Sequence, residues 1–330
     1  MPTSPEQIIL KELLSSESGW VSGSALATTL GVSRVSVWHH MEKLRSQGFE
    51  FEAQPARGYR LTVKPKMLHH ALVEAQLKIK RRDFTFLVLD EVDSTNDEAA
   101  RQLAEGRPTP FAVFARRQTR GRGRFGRVWH SEANGNLYAS FAFRPSAAPG
   151  RMQTFTLWMG VNVCELVSNF VPSPPGIKWP NDLVFSERKA GGMLTEARVD
   201  ADQIRDLVFG LGLNVNSEPA AWPDELARRA ISLSELAGKE VDLNRLTAAL
   251  IGRVLLAYER FTDGEHVADF AAMWNRHDVL RGKPIALTEG DTRHEGTVVG
   301  VDDEGALIVR STEGQTRRFR AGEVTIAKER

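Results

Sequence analysis

A run of arginines separated by glycines occupies the middle of this 330-residue sequence. Between Arg116 and Trp129 the chain is Arg-Arg-Gln-Thr-Arg-Gly-Arg-Gly-Arg-Phe-Gly-Arg-Val-Trp. Guanidinium groups carry forked donors that match phosphate or carboxylate, and glycine lets the backbone move and approach a ligand closely. This segment, the arginine loop (residues 116–129), is predicted to close over an anion, with the indole of Trp129 available to stack on a purine. The alternative is a basic tract that holds nucleic-acid phosphates or is solvated.

Four other segments with chemically useful side chains flank the arginine loop. Their sequences are Asp-Ser-Thr-Asn at 93–96, Lys-Trp-Pro-Asn-Asp at 178–182, Arg-Lys-Ala-Gly-Gly at 188–192 and Gly-Leu-Gly-Leu-Asn at 210–214. Each alone has an ordinary explanation, because Ser, Thr and Asn cap helices, Pro-Asn-Asp forms loops and glycine in a strand marks a bulge. In this order, however, the five segments resemble those of the biotin protein ligases, and the resemblance covers essentially the whole chain.

The resemblance implies a two-step reaction. The carboxylate of biotin attacks the α-phosphate of ATP, pyrophosphate leaves, and a lysine amine of an acceptor protein then attacks the resulting biotinyl-AMP. Because both steps place negative charge on phosphate oxygens, catalysis should depend on positioned cations and hydrogen-bond donors. The implied cofactors are ATP and Mg²⁺, and the implied acceptor is the biotin carboxyl carrier protein of acetyl-CoA carboxylase.

The resemblance also implies roles for the residues that handle the nucleotide. Lys189 would bridge the biotin carboxylate and the α-phosphate, and so reduce the repulsion between two anions that must meet. Asp182 would bind Mg²⁺ through carboxylate oxygens, and Asn181 would help to hold the nucleotide. Lys178 is a second candidate for a phosphate contact.

Biotin and the adenylate need a different set of contacts. Arg122 and Arg124 match the adenylate-binding loop of the family and are expected to be catalytic cations. The ureido ring of biotin needs paired donors and acceptors in an otherwise apolar pocket. The expected ligand contacts, besides those two arginines, are Ser94, Thr95, Asn96 and Gln118 for the ureido ring, Gly121 and Gly123 in the loop, Trp129 stacked on adenine, and Gly210, Gly212 and Asn214 on a strand that the ligand approaches.

The arginine loop departs from the family pattern in two places. Arg120 stands where the family usually has a small residue, and Phe125 stands where the best-known bifunctional member has a second arginine. In that member the loop also contributes to homodimerisation, so a dimer of the liganded protein is expected. Residues 190–192 are Ala-Gly-Gly instead of the more usual leucine-alanine-glycine, a small loss of bulk.

The first 65 residues have the pattern of a winged helix-turn-helix. Apolar residues at helical spacing predict a helix over 5–15, a second beginning at Gly23, and a third that Ser33 caps and Gly48 ends. Two short strands follow and form a wing. If the third helix enters the major groove, the DNA contacts are Ser33, Arg34, Ser36, Trp38 and His39, with Arg57 on the wing. The alternative is a winged helix that serves as a dimerisation or lid module.

Patterns of alternating strands and helices define the rest of the chain. Strands are predicted at 84–89, 111–115, 137–144, 177–179, 183–185, 192–198 and 207–214, and helices at 96–103 and 154–170. Short β runs from Lys283 onward predict a small antiparallel barrel of SH3 type. The expected fold is multidomain α+β: a winged helix-turn-helix at 1–65, a mixed α/β domain at 66–275, and the barrel at 276–330. The resemblance implies that the central domain has the biotin/lipoate ligase fold, related to class II aminoacyl-tRNA synthetases.

Composition limits the partners and the compartment. The formal net charge is +1, so any attraction to DNA must be local; residues 1–66 hold eight Lys and Arg against six Asp and Glu. The single cysteine, Cys164, lies in an apolar run, cannot form an intramolecular disulfide and favours a reducing compartment. No apolar stretch has transmembrane length and no signal pattern is present, so a cytoplasmic protein without membrane contact is expected.

Together these features predict a ligase that also represses transcription of a biotin operon by binding its operator DNA. Three alternatives stay open: a ligase whose winged helix does not bind DNA, a regulator that senses biotin without turnover, and a lipoate ligase. The arginine loop and the winged helix fit a lipoate ligase poorly. Lys189 and Asp182 argue against a sensor without turnover.

Overall fold

The computed structural model describes residues 4–79, 83–131, 135–145 and 147–326. These residues form two compact units. The first contains the described part of residues 1–81 together with Asp242–Ile251, and the second contains the rest of the described chain. No helix within the described ranges is long and apolar enough to cross a lipid bilayer.

The first unit is built from helices whose first turns are capped by serine. Its elements are α1 (Pro5–Ser15), α2 (Gly23–Leu30), α3 (Arg34–Ser46), β1 (Glu50–Gln54), β2 (Gly58–Val63) and α4 (His70–Gln76). Ser4, Ser22 and Ser33 each accept a hydrogen bond from a backbone N–H of the helix that follows. The predicted helix-turn-helix is therefore confirmed as α2 and α3, with an αL glycine, Gly31, ending α2.

The core of the first unit joins the helices to the wing. The apolar residues on one face of α3, Val37, Met41 and Leu44, are fully buried with residues of α1 and with Phe49. Leu72 of α4 belongs to the same core, so packing in this unit continues beyond residue 65. The three domain boundaries given above stay predictions; residues 1–3 and 327–330 of the outer two lie outside the described residues.

The β1–β2 hairpin is held against the start of α2 by a close backbone contact. Val21 and Tyr59 exchange backbone hydrogen bonds of 2.9 and 2.8 Å. Gly58 has a φ of +97°, and a Cβ there would lie 2.1 Å from the carbonyl oxygen of Val21. Because a side chain would both be strained and collide with backbone, this position of the wing needs glycine.

The second unit begins with a seven-stranded mixed sheet. Its elements are β3 (Thr85–Val92), α5 (Thr95–Ala104), β4 (Phe111–Gln118), β5 (Leu137–Phe143), α6 (Met152–Val167), β6 (Gly176–Lys178), β7 (Asp182–Phe185), β8 (Arg188–Asp200) and β9 (Gln203–Leu213). The strand order is β3-β4-β5-β9-β8-β7-β6, with β3 and β4 parallel and the other neighbours antiparallel. The mixed α/β architecture of the central region is confirmed.

Helix α6 is buried along most of its length, as its apolar sequence predicts. Cys164 lies in this helix with no exposed surface, and burial raises the pKa of its thiol. The residue therefore packs as a small apolar side chain, in agreement with the prediction.

Strands β8 and β9 are longer than the sequence pattern predicts. The expected runs are 192–198 and 207–214, whereas the two strands have 13 and 11 residues, and β8 pairs with β9 from Gly191 to Asp200. The Arg-Lys-Ala-Gly-Gly segment is not a loop, because Arg188 and Lys189 pair with β7, and Gly191 and Gly192 pair with both β7 and β9. The structure thus places Lys189 on a strand, next to a register shift in its pairing with β7.

Helices and a second sheet complete the chain. The helices are α7 (Asp224–Ala227), α8 (Leu233–Ala237), α9 (Leu243–Thr262), whose residues through Ile251 group with the first unit, and α10 (His266–His277), which packs on α6. The strands β10 (Pro284–Glu289), β11 (Thr292–Val301), β12 (Leu307–Arg310), β13 (Thr316–Phe319) and β14 (Glu323–Ile326) form an antiparallel sheet in the order β13-β12-β11-β10-β14. The predicted C-terminal β domain is confirmed as this five-stranded sheet.

Candidate active site

A cleft of about 320 Å³ in the second unit brings the five segments of the sequence together. Its volume lies at the lower end of the range for small-molecule pockets. Gly121 and Asn214 do not line it. The predicted residues that do line it are Ser94, Thr95, Asn96, Gln118, Arg122, Gly123, Arg124, Trp129, Lys178, Asn181, Asp182, Lys189, Gly210 and Gly212.

Lys189 is positioned by two backbone hydrogen bonds to the segment 229–231. Its N–H donates to the carbonyl of Arg229 at 2.7 Å, and its carbonyl accepts from the N–H of Ile231 at 3.0 Å. The side-chain amide of Asn214 donates to the same carbonyl at 3.4 Å, so Asn214 supports Lys189 from outside the cleft. The ammonium nitrogen of Lys189 lies 2.7 Å from Asp182 Oδ1 and 5.3 Å from the centre of the Trp129 ring. A cation is therefore held at a fixed point of the cleft.

Asp182 offers one carboxylate for a divalent cation. The described residues contain no group of three or more His, Cys, Asp or Glu side chains that could hold a metal ion by themselves. Neighbouring Asn181 is committed to the protein, because its amide nitrogen donates to the carbonyl of Met193 at 2.7 Å. One carboxylate fits Mg²⁺, which usually keeps several waters and binds through one or two carboxylates plus the phosphates of its nucleotide.

Five of the six arginines in the arginine loop are paired with carboxylates, which corrects the expectation that all six supply donors to an anion. The pairs are Arg116 with Asp90, Arg117 with Glu91, Arg120 with Asp93, Arg122 with both Asp97 and Glu196, and Arg127 with Glu323. An arginine already held by a carboxylate has less to offer a phosphate. Most of the charge of the loop is therefore neutralised within the protein.

Arg124 is the exception among the described arginines of the loop. Its guanidinium makes only long hydrogen bonds, to Asn181 Oδ1 at 3.3 Å and to the carbonyl of Gly322 at 3.4 Å. Burial lowers the pKa of Arg124, and the charge of Asp182 opposes this effect. A half-buried cation without a carboxylate partner is poorly stabilised until an anion arrives. Arg124 is thus the arginine of this loop best placed to bind a phosphate.

Three of the four polar side chains expected to bind the ureido ring, those of Thr95, Asn96 and Gln118, form a connected group with Ser140. The backbone N–H and the hydroxyl of Thr95 donate to Gln118 Oε1 at 2.8 and 3.1 Å. Ser140 lies 2.6 Å from Asn96 Oδ1 and 2.8 Å from the Thr95 hydroxyl. Ser94 caps α5 through its hydroxyl, which is the ordinary explanation for a serine at this position. The structure therefore supplies donors and acceptors in fixed orientations at this end of the cleft.

Gly210 and Gly212 make room for the side chains of the protein itself. A Cβ at Gly210 would lie 2.2 Å from Asn96 Oδ1, and a Cβ at Gly212 would lie 2.5 Å from the Trp129 ring. The expectation was that these glycines let a ligand approach the strand. The structure gives a different reason for them: they seat Asn96 and Trp129, which in turn line the cleft. Neither glycine lies at a bulge of β9.

Sequence reasoning missed several residues in and around the cleft. Glu196 and Asp97 bind Arg122, and Ser140 binds Asn96, so these three residues contact the lining of the cleft without lining it themselves. Gly322, Glu323 and Val324, where β14 begins, line the opposite part. Nothing in the local sequence marks these residues, because their partners lie tens to hundreds of positions away. Only the tertiary fold brings them to the cleft or to the residues that line it.

The predicted DNA-contacting residues lie in the first unit. Val35 and Trp38 of α3 are exposed to 64% and 48%, which is unusual for apolar side chains of their size. Arg34 and His39 are exposed on the same helix, and Ser33 and Ser36 are joined at its N-terminus by a 3.0 Å hydrogen bond. On the wing, the guanidinium of Arg57 lies 5.0 Å above the Trp20 ring. One face of α3 is thus free for a partner, as a recognition helix requires.

Three family models match this chain in order. The model described as the biotin/lipoate A/B protein ligase family matches residues 88–214. An HTH domain model matches residues 6–60, and a biotin protein ligase C terminal domain model matches residues 281–326. The first match contains the five segments that meet in the cleft.

Whole-chain relatives are similar over nearly the full length. The chain is 33% identical over 306 residues to the bifunctional ligase/repressor BirA of Bacillus subtilis (strain 168), which covers 92% of this chain and 93% of that protein. It is 30% identical over 305 residues to the protein of the same name from Escherichia coli (strain K12), with 92% of each chain covered. The solved structure of a biotin protein ligase from Aquifex aeolicus in complex with biotin and ATP is 29% identical, with a TM-score of 0.62 over 74% of this chain and 99% of that chain.

Proposed function

Because the chain belongs to the bifunctional ligase/repressor family, we propose that its cleft joins biotin to AMP and passes the biotinyl group to a protein lysine. The observation that carries the proposal is the meeting of Lys189, Asp182 and Arg124 in one cleft beside Trp129. The condensation of a carboxylate with an α-phosphate brings two anions together. Two cations and one carboxylate that could hold a metal ion suit that reaction. Biotin and ATP are the ligands of the Aquifex aeolicus relative.

The chemistry follows from where the charges lie. The biotin carboxylate and the α-phosphate repel each other, and an ammonium at Lys189 between them would replace repulsion by attraction to a shared cation. Arg124 would take a phosphate oxygen as the anion it lacks in the free protein. Mg²⁺, when bound with ATP, would neutralise further phosphate charge, with Asp182 as its protein ligand. The indole of Trp129 would pack against the adenine.

The acceptor and the DNA site follow from the family. A relative from Paracoccus denitrificans, 29% identical over 231 residues, is a biotin--[acetyl-CoA-carboxylase] ligase, and we infer that a biotin carboxyl carrier protein is the acceptor here too. The exposed face of α3 supports binding to operator DNA, with biotinyl-AMP as corepressor. A homodimer of the liganded chain is part of the proposal, because operators read by helix-turn-helix proteins commonly have two half-sites.

Covalent transfer is the direct test. The purified protein is incubated with biotin, MgATP and an apo carrier domain, and the carrier is weighed by intact mass spectrometry. We expect a gain of one biotinyl group that needs ATP and is absent when the acceptor lysine of the carrier is changed to arginine. Tight binding of biotin without any transfer would contradict the ligase and favour a sensor. Transfer of lipoate in place of biotin would favour a lipoate ligase.

A further inference from the structure

Glu196 binds two parts of the site at once, although it lies apart from Lys189. It lies on β8, and its two carboxylate oxygens accept hydrogen bonds from Nη1 and Nη2 of Arg122, at 2.9 Å and 2.8 Å. It also accepts a 2.7 Å hydrogen bond from the side-chain amide of Asn96. A bidentate contact between arginine and carboxylate fixes direction as well as distance. One side chain of the sheet therefore orients both the arginine loop and the first turn of α5.

In this arrangement Arg122 holds the arginine loop in place. Its guanidinium also binds Asp97 at 2.6 Å, so it lies between two carboxylates. Burial lowers the pKa of Arg122, but the hydrogen bonds to Glu196 and Asp97 outweigh this effect, and the pKa is raised. Its backbone forms a β-bridge with Val128, so holding the side chain also holds the closed turn of the loop. Both carboxylates would have to be displaced before Arg122 could serve a phosphate.

Asn96 transmits the orientation of Glu196 to the floor of the cleft. Its amide nitrogen points at Glu196 and at the carbonyl of Leu194, so its oxygen must point at the hydroxyl of Ser140. The absence of a side chain at Gly210 seats the Asn96 amide against the strand. Ser140 in turn touches Thr95, which is bonded to Gln118. The donors and acceptors at this end of the cleft are thus set by one carboxylate.

We propose that Glu196 is a positioning residue for the biotin end of the cleft. Its carboxylate holds Arg122 above that end and fixes the Asn96 amide below it. The proposal rests on the proposed function, since it concerns how the same site takes its carboxylate substrate. Under this proposal Arg122 supports the arginine loop and does not bind the reacting phosphates. Glu196 then governs the affinity for biotin, whereas the nucleotide and the chemical step depend on Lys189 and Arg124.

The test is a Glu196→Gln variant of the full chain. Glutamine keeps the size of the side chain but has one acceptor oxygen, so it cannot take both prongs of Arg122 and the amide of Asn96. We expect the Kd for biotin alone, measured by calorimetry, to rise about 10- to 100-fold, given the usual strength of hydrogen bonds to a charged group. The KM for biotin should rise likewise, while kcat and the KM for ATP stay within about twofold. Glu105→Gln, at an exposed glutamate that ends α5, is the matched control and should bind biotin as the wild type does.

Arg122→Lys provides a second variant that leaves the sheet intact. Lysine keeps the charge but loses the fork, so we expect the same defect in biotin binding with an unchanged KM for ATP. The double variant Glu196→Gln with Arg122→Lys should lose less affinity than the two single effects combined, because both variants break the contact between Arg122 and Glu196. Additive effects would overturn the proposal, as would a raised KM for ATP or unchanged biotin binding in Glu196→Gln. If the wild type itself binds no biotin, the proposed function fails instead.

Discussion

Lys189 and Arg124 differ from the other cations around the cleft in what holds them. Lys189 shares its charge with one carboxylate, Asp182, and both its backbone N–H and its carbonyl are hydrogen-bonded. Arg124 is half-buried and has no carboxylate partner among the described residues. Positioned charge of this kind costs little reorganisation when an anion arrives. At the scale of single residues, these two side chains should therefore have separable effects on the reaction.

Replacement of Lys189 by alanine should abolish adenylate formation. Loss of one positioned donor at a developing charge typically costs about 10²–10³ in rate, and Lys189 meets both reacting anions. Biotin-dependent pyrophosphate exchange measures this step, and circular dichroism should show an intact fold. Lys239→Ala, at an exposed lysine before α9, is the control and should exchange normally. Near-normal pyrophosphate exchange by Lys189→Ala would contradict the role of Lys189 in adenylate formation.

Replacement of Arg124 by glycine should release biotinyl-AMP early. The forked contact to the intermediate is lost, so dissociation should speed up by about tenfold or more, in keeping with a charged hydrogen bond. The rate of release is measured by trapping the biotinyl-AMP that dissociates after a single turnover. Arg120→Gly is the matched control, because Arg120 belongs to the same loop but pairs with Asp93 outside the cleft. Equal release rates for the wild type and Arg124→Gly would refute this role.

At the scale of elements, α1 and α3 are joined by a buried carboxylate. Glu6 of α1 lies 3.0 Å from His40 Nδ1 and 3.0 Å from Lys43 Nζ of α3. Burial raises the pKa of Glu6, but the hydrogen bonds from Lys43 and His40 outweigh burial and bring the pKa to about 2. This contact fixes the helix that carries the residues proposed to contact DNA.

Replacement of Glu6 by glutamine should destabilise the first unit in a pH-dependent way. A carboxyl whose folded pKa is depressed stabilises the fold above its ordinary pKa of 4.5, and that stability is lost as the pH falls toward 2. We expect a loss of about 1–2 kcal/mol at pH 7, after allowance for partial exposure of the partners. This loss is measured by hydrogen exchange of the α1 and α3 amides in the full chain, with the wild type and Glu6→Gln compared at each pH. Glu17→Gln should show no difference from wild type, and a pH-independent loss in Glu6→Gln would contradict the mechanism.

At the scale of the whole molecule, one chain carries a ligand site and a recognition helix in separate compact units. The exposed face of α3 and the relatives of full length support a DNA-binding function. A corepressor made in the cleft would make DNA binding depend on biotin and ATP. The two activities are then linked by ligand binding, with no need for a second sensor.

Gel shifts with DNA from upstream of the gene should therefore show binding that biotin and ATP strengthen. Arg34→Ala should weaken the complex by about tenfold, since a single contact to a base or phosphate has that order of effect. It should leave ligation unchanged, because Arg34 lies outside the unit that contains the cleft. Lys11→Ala, on the exposed side of α1, is the control. Ligation without any shifted DNA under either condition would identify a ligase whose winged helix has another role.

Local sequence was enough for most of the elements and for the membership of the cleft. Serine caps, glycine ends and apolar spacing place α1, α2 and α3, because those signals act within one or two turns. Fourteen of the sixteen residues expected at the cleft line it, since each belongs to a short segment whose composition suits its chemistry. The long pairing of β8 with β9 was underestimated, because polar and glycine residues weaken the strand pattern while cross-strand hydrogen bonds do not depend on them.

The sequence by itself determined the class of protein, its domain order and the segments that carry its chemistry. Only the tertiary structure decided which arginine of the loop is left for an anion, why Gly210 and Gly212 are glycines, and that Glu196 belongs to the site. The physical reason is that the charge available at a residue depends on its partners, and those of Arg122 and Arg127 lie 74 and 196 positions away along the chain. Sequence spacing lists the cations, and folding determines which of them remain unpaired.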